Sequence, residues 1–312
     1  MKSVDVLAVG HSCYDLSFFV EKDPLGDEKG SATDLVLCGG GPAANAAVAA
    51  SRLGGKSAFC GYAGLDLFGE MICQEFKEER VDTTLLIRKG FPTPVACCLV
   101  KPDGKRAVVN YRKQTPFLNP EEIDLSALSP KVILFDGHEP LVSQQFSIVA
   151  KERKIPTVLD GGSLHEGTLS LASQVDYLVS SEKFIKQLTA LNDPQLAFEK
   201  ASEKYPNLIV TLGEKGLFWS YLNKKGMMKS LPITPVDTNG AGDVFHGAFC
   251  LGIARGMDWN NLLLFATVAA GLSCTRKGAR SSFPTKKEVE RELKKTKLED
   301  LLCFPFYEHM GK

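Results

Sequence analysis

From residue 131 onward, short continuous apolar runs alternate with helical stretches, and this rhythm constrains the fold more than any other property of the chain. Val132 to Phe135, Thr157 to Leu159, Tyr177 to Val179 and Leu208 to Thr211 are apolar along almost their whole length, leaving no side for water. Strands of that kind are covered on both faces, and a helix between each pair returns the chain to the same edge. The pattern therefore predicts an α/β fold with a mostly parallel sheet between two helical layers. Two longer helical runs follow, Asp243 to Arg255 and Trp259 to Cys274. Upstream, Val4 to Val9 reads as a first buried strand, Ala43 to Leu53 as an alanine-rich helix, Ser57 to Tyr62 as a strand and Phe68 to Glu79 as a helix.

Two segments, about 12–38 and 94–114, break the rhythm. In the second, Val95 to Val100 and Arg106 to Tyr111 flank Pro102-Asp103-Gly104, the signature of a hairpin. Together they predict a small antiparallel sheet standing off the main body as a lid over a cleft. There is no internal repeat and no low-complexity linker, so residues 1–312 read as one domain. An exposed antiparallel sheet has a face and edges to cover, which makes a homodimer through the lid the expected assembly.

Composition narrows the partners. Lys plus Arg balance Asp plus Glu, 37 against 37, so no global field draws the chain to nucleic acid or to an anionic membrane, and a small-molecule ligand is expected instead. The nine cysteines are an odd number without a CxxC pair, which points to reduced thiols in a cytoplasmic setting rather than to disulfides or zinc. The N-terminal apolar run breaks at Gly10 and lacks a signal-peptide cleavage site, and no stretch approaches the roughly 18 apolar residues of a membrane helix.

The chemistry concentrates in Asp237-Thr238-Asn239-Gly240-Ala241-Gly242-Asp243, which opens the helical run VFHGAFCLGIARG. Small residues at a helix start leave backbone N–H groups and the positive dipole end open to an anion such as phosphate. Asp243 would stand in the first turn, where a carboxylate can take a proton from an attacking hydroxyl. Phosphoryl transfer needs these two parts: stabilised phosphate oxygens and an oriented nucleophile. The same heptapeptide also reads as ordinary capping, with Asp237 or Asp243 satisfying helix donors.

Two further elements accompany it: Gly39-Gly40-Gly41-Pro42-Ala43-Ala44-Asn45 before a helix, and Thr211-Leu212-Gly213-Glu214-Lys215-Gly216 after a strand. With Asp15 and with Thr275-Arg276-Lys277-Gly278-Ala279, the set resembles the PfkB, or ribokinase-like, carbohydrate kinases over nearly the full length. The resemblance implies a three-layer α/β/α fold with a β lid and a kinase using ATP, Mg²⁺ and, in many relatives, a monovalent cation such as K⁺. Asp243 is then the base, and Gly240, Ala241 and Gly242 form the anion hole. Asp15, Gly40, Gly41 and Asn45 hold sugar hydroxyls. Ser181, Thr211, Gly213, Gly216, Gly242, Thr267, Lys277 and Gly278 line the ATP site. Asp237, Asn239, Gly278 and Ser282 surround the monovalent cation, and Glu182 stands in part for the magnesium-linked Asn-x-x-Glu element, here replaced by Ser180-Ser181-Glu182-Lys183-Phe184.

That replacement, with Leu159-Asp160-Gly161 and Asp243-Val244-Phe245-His246-Gly247, is similar to the ketohexokinase and sulfofructose kinase branches. In the latter a lid lysine, a lid asparagine and an arginine of the central sheet grip an anionic sugar terminus. Lys29 and Asn110 match the first two, while His138 stands at the arginine's place, with Arg112 nearby and Glu139 a candidate for a neutral sugar hydroxyl. The substrate class is accordingly a ketose, a pentose, or an anionic sugar such as a sugar phosphate or sulfofructose. A nucleoside kinase and a non-catalytic sugar-binding relative remain the alternatives.

Two decoys are set aside. Gly54-Gly55-Lys56-Ser57 ends like a Walker A loop, but Ala50 occupies the first glycine's place. Gly39-x-Gly41-x-x-Ala44 fits a degenerate dinucleotide fingerprint, yet no acidic residue ends the next strand to bind a ribose as an NAD enzyme requires.

Overall fold

The computed structural model describes residues 1–102, 106–112 and 114–303. In chain order the strands are β1 (Lys2–Val9), β2 (Cys13–Val20), β3 (Ala32–Gly40), β4 (Ser57–Gly64), β5 (Asp82–Lys89), β6 (Val95–Val100), β7 (Arg106–Tyr111), β8 (Leu128–Phe135), β9 (Thr157–Gly161), β10 (Tyr177–Ser181), β11 (Leu208–Thr211), β12 (Leu217–Tyr221), β13 (Lys224–Met228) and β14 (Leu302–Cys303). The helices are α1 (Pro42–Arg52), α2 (Leu67–Glu78), α3 (Pro140–Arg153), α4 (Glu166–Leu171), α5 (Glu182–Thr189), α6 (Pro194–Lys204), α7 (Ala241–Ala254), α8 (Trp259–Ser273), α9 (Ala279–Ser282), α10 (Lys286–Leu293) and α11 (Leu298–Leu301).

The main sheet runs β14-β13-β12-β11-β10-β9-β8-β1-β4-β5. From β11 to β5 every pairing is parallel, as the continuous apolar runs predict. β1 shows why. Val6 and Ala8 are fully buried toward one core, with α1, α7 and α8, while Leu7 and Val9 are fully buried toward another, with α3, α5 and α6. A strand with both faces covered gains from apolar side chains at every position. β12, β13 and β14 extend the sheet with antiparallel pairings that the alternation does not reveal. The turn between β12 and β13 is Leu222-Asn223, with φ of 48° and 61°. Such a two-residue reversal usually carries glycine, so leucine there hides it from the sequence.

The interrupting segments form a second sheet, in the order β3-β2-β6-β7. Its outer pairings are antiparallel, while the middle pair, β2 with β6, is parallel. The two hairpin arms fall at Val95–Val100 and Arg106–Tyr111, and the Asp103-Gly104 part of their turn lies outside the described residues. Register sorts the faces: Cys38, Asp15, Ala96 and Asn110 form one row across the sheet, and Leu37, Leu16, Cys97 and Val109 form the next on the opposite face. The nine cysteines are all unbridged. Among the described residues no helix is long and apolar enough to cross a membrane.

Strand order reverses at β1, with β8 on one side and β4 on the other. In such sheets the crevice opens at the carboxyl ends of the strands beside the reversal, and the sequence motifs converge there. The Walker-like Gly54-Gly55-Lys56-Ser57 instead joins α1 to the start of β4, at the opposite edge, where the Lys56 N–H meets the Asp5 carboxylate at 2.9 Å.

Candidate active site

Asp243 occupies the first turn of α7, whose N-cap is Gly240 at φ 77°, without a side-chain cap. A Cβ at Gly240 would also press on Phe283, so glycine is required on two counts. The Ala241 N–H turns to the Thr238 carbonyl at 3.3 Å, whereas among the described residues no protein acceptor meets the amides of Gly240, Gly242 and Asp243. A Cβ on Gly242 would meet nothing within 4 Å, so the space in front of these donors is open. Of the three amides expected to form an anion hole, those of Gly240 and Gly242 are open together with that of Asp243, whereas that of Ala241 is turned to Thr238.

Helix α1 brings the partner of the carboxylate. Alanine at 43, 44, 46, 47, 49 and 50 leaves its flanks thin, and Gly247 of α7 lies directly against the Ala46 carbonyl, so the two helices approach closely. This contact sets Asn45 opposite Asp243, and Asn45 Nδ2 donates to Asp243 Oδ2 at 2.7 Å. Burial, then the nearby charge of Asp160, push the Asp243 carboxyl up to about 7, against the Asn45 hydrogen bond.

The lid contributes Asp15, whose carboxylate lies over Gly40; a side chain there would collide with it. Burial raises the Asp15 carboxyl, although the Cys13 thiol donates to it at 3.1 Å. Gly41, at φ 94°, leads into α1, and register puts Asn110 on the Asp15 face of the lid. Lys29 lies exposed in the connection between β2 and β3, off the sheet.

Behind the sugar side, Asp136 follows β8 and accepts N–H groups from His11 at 2.8 Å, His138 at 2.9 Å and Ala43 at 3.2 Å. Burial would raise this carboxyl, but His138, 3.3 Å away, and those amides hold it well below the ordinary range. His138 is raised in turn, as Asp136 outweighs burial, while the His11 ring stacked on it at 5.3 Å is held down to about 3 by burial. Glu139 is taken up by the protein: it receives Arg112 at 2.6 Å and the Leu118 N–H at 2.7 Å. Burial still pushes it up to about 7. Arg112 also donates to the His138 carbonyl at 3.0 Å and faces the Phe117 ring, so the lid end is latched to the sheet.

Among the residues expected at the nucleotide, Ser181 and Thr211 pair in register at adjacent strand ends. Gly213 and Gly216 take φ of 61° and 95°, and a Cβ at Gly216 would strike the Met228 carbonyl. Thr267 of α8 donates to the Met228 sulfur at 3.4 Å, which joins it to the same turn. Lys277 lies 5.1 Å from the Phe19 ring and 3.9 Å from Asp34, between the nucleotide loop and the lid.

A family model described as pfkB family carbohydrate kinase matches residues 3–286. The chain belongs to this family. The kinase is 29% identical over 295 residues to a Bacillus subtilis protein named ribokinase, spanning 93% of the kinase and 99% of that protein. It is 31% identical over 281 residues to a Solanum tuberosum protein named fructokinase, spanning 82% and 86%. A solved structure of Thermotoga maritima ribokinase superposes with a TM-score of 0.83 at 28% identity, covering 93% of the kinase and 99% of that chain. The kinase is therefore a sugar kinase, a phosphotransferase with an alcohol acceptor, on the ribokinase fold.

The residues expected around a monovalent cation come together only in part. Asp237 accepts the N–H groups of Asn239 at 2.8 Å and Gly278 at 3.0 Å, which staples two loops. The Ser282 carbonyl already receives the Arg276 guanidinium at 2.9 Å, so a cationic side chain occupies that direction. Glu182 pairs with Lys186, and among the described residues no cluster of three or more His, Cys, Asp or Glu side chains could hold a metal.

Further polar residues join the site, and of these Asp136 and Arg280 lie outside the motifs. Asp160 ends β9 and faces His246, Arg280 contacts Asn45, and Asp136 organises three amides. The available signal for Asp136 was an acidic residue directly after a buried strand.

Proposed function

We propose that the kinase moves the γ-phosphoryl group of ATP to a hydroxyl of a small neutral sugar, of the ribose or fructose kind, with Asp243 as base. The observation that carries this reading is the Asp243 carboxylate beside uncapped amides at the start of α7. The sugar oxygen would lie between Asp243 and the terminal phosphate. As its O–H proton passes to the Asp243 carboxylate, that oxygen bonds to phosphorus and the bond to the ADP oxygen breaks. The amides of Gly240, Gly242 and Asp243 would take the equatorial oxygens, where charge sits in the transition state. Mg²⁺ on the nucleotide supplies further charge neutralisation.

A neutral sugar is favoured over a phosphorylated or sulfonated one because three cations around Asp136 and Asn45 are already matched. Arg112 is paired with Glu139, His138 with Asp136, and Arg280 with Glu75. An anionic terminus that binds any of these three would have to displace its carboxylate. The names ribokinase and fructokinase among the relatives support the same class.

We also propose that a second copy covers the outward lid face, where Leu35 is 47%, Leu37 46% and Val109 72% exposed. Light scattering showing only monomer would remove that element alone.

The deciding experiment is ADP release with ATP and Mg²⁺ across ribose, deoxyribose, fructose, fructose phosphates, sulfofructose and adenosine. Ribose or fructose should give the highest kcat/KM. Preference for an anionic sugar would overturn the neutral-sugar reading, and no release with any acceptor would overturn the proposed transfer.

A further inference from the structure

The Asn45 amide has two ends, and the one turned away from Asp243 is held by a residue outside the sequence motifs. Arg280, in the short α9, is 3% exposed. Its Nε donates to Asn45 Oδ1 at 2.9 Å, Nη1 to Glu75 Oε2 at 2.8 Å, and Nη2 to the Gly40 carbonyl at 3.3 Å. Its guanidinium carbon stands 5.3 Å from the centre of the Phe76 ring.

A guanidinium has donors and no acceptor, so only the oxygen of the Asn45 amide can face it. The NH₂ end must then face Asp243. We propose that Arg280 is a positioning residue for phosphoryl transfer, fixing the Asn45 amide so that its N–H is presented to the Asp243 carboxylate. The proposal rests on the reading of Asp243 as the base.

The alternative orientation shows what is at stake. An Asn amide turned by half a rotation has nearly the same shape, so packing alone selects weakly between the two. Turned over, Oδ1 would face the carboxylate at the present 2.7 Å separation, oxygen against oxygen, which is tolerable only if Asp243 holds a proton. A protonated Asp243 cannot accept one from the sugar. The other groups around Asp243 do not restore the right state: Asp160 and Asp15 are carboxylates that oppose its ionisation, and His246 is the remaining group favouring it. Arg280 itself faces Asp15, Glu75 and the thiols of Cys13 and Cys38, none of which reaches Asn45 Oδ1 as a donor in its place.

A double-mutant cycle separates this role from a structural one. Arg280→Met should lower kcat by about 10- to 100-fold, with the KM for sugar changed by less than about threefold. Combined with Asn45→Ala, it should lower kcat no further than Asn45→Ala alone. Losses that multiply in the double variant would overturn the proposal, since Arg280 would then act by another route.

Arg280→Lys keeps a charge for Glu75 and runs the same cycle if the methionine variant does not fold, with the same two outcomes. Glu75→Gln removes the ion pair but leaves the Asn45 contact; it should lower Tm while kcat stays within about threefold. An equal kcat loss in Glu75→Gln would overturn the proposal too. Asp243→Asn, measured alongside, reads the base on its own: near-normal turnover there brings down the base reading, whereas a large loss there with multiplying losses in the cycle brings down Arg280 alone.

Discussion

Asp160 Oδ2 lies 3.3 Å from His246 Nδ1, and both side chains are 5% exposed. Both nitrogens of the imidazole face oxygens: Nδ1 is also 2.7 Å from the Gly242 carbonyl, and Nε2 is 3.1 Å from the Val179 carbonyl. His246 thereby joins the ends of β9 and β10 to the first turn of α7. It also places a buried carboxylate close enough to Asp243 to raise its proton affinity.

This arrangement predicts how turnover follows pH. If Asp243 is the base, as proposed, it works only when ionised, and with its carboxyl at about 7, kcat should rise as pH increases through neutrality. Removing the like charge in Asp160→Asn should move that rise to lower pH, by on the order of one unit. A kcat profile between pH 5 and 9 for both proteins checks it. An unmoved acidic limb would show that Asp160 carries no charge in the working enzyme.

Asp243→Asn should keep ATP and sugar binding close to normal while kcat falls by roughly two to four orders of magnitude, the contribution of a positioned base. Asparagine retains the size of the side chain and leaves the amides of Gly240 and Gly242 in place. Calorimetric titration with ATP and sugar, beside a coupled assay of ADP release, distinguishes lost chemistry from lost binding.

The part of this site written in local chemistry was legible in the sequence. A glycine-rich helix start followed by aspartate specifies open amides and a carboxylate from neighbouring residues alone, and the buried strands around Val132 and Leu208 announce themselves by having no polar face. Arg280 could not be read in this way, because the Asn45 it holds is 235 positions away. Nor could the partners of Glu139 be read there: Arg112 and the Leu118 N–H donate to its carboxylate, contacts that exist only once the lid folds back on β8. That the two lid segments join in one sheet was legible, but the parallel sense of the β2–β6 pair was not, since hairpin strands reveal their own antiparallel pairing and not the direction of the strand they join.

Glu139 offers a test through stability. Its folded carboxyl lies near 7 against an ordinary 4.5, so the folded state holds the proton more tightly than the unfolded chain. The corresponding stability is fully present below pH 4.5 and is lost as pH rises to 7. Glu139→Gln lacks this loss. Relative to wild type, the variant should gain stability between pH 4.5 and 7, by up to about 3 kcal/mol, and show no further gain above 7. Paired denaturation curves across that range measure the difference, and a constant offset would refute the assignment.

Two effects compete at Gly247, and their magnitudes decide the outcome. In a helix interior, replacing glycine with alanine ordinarily stabilises by about 1 kcal/mol, because the unfolded chain loses freedom and the helix gains a better former. Here the new Cβ would run into the Ala46 carbonyl and come within 3.0 Å of the Ala49 Cβ. A backbone oxygen inside a helix cannot rotate away as a side chain can, so α1 and α7 must separate. Overpacking of this kind costs about 1–3 kcal/mol, enough to reverse the propensity gain. Ala46 is the neighbour of Asn45, so the same displacement draws Asn45 away from Asp243. Gly247→Ala should therefore lower Tm and kcat together. A variant with raised Tm and unchanged kcat would show that the helices have room to spare, and that their contact does not set the geometry of the base.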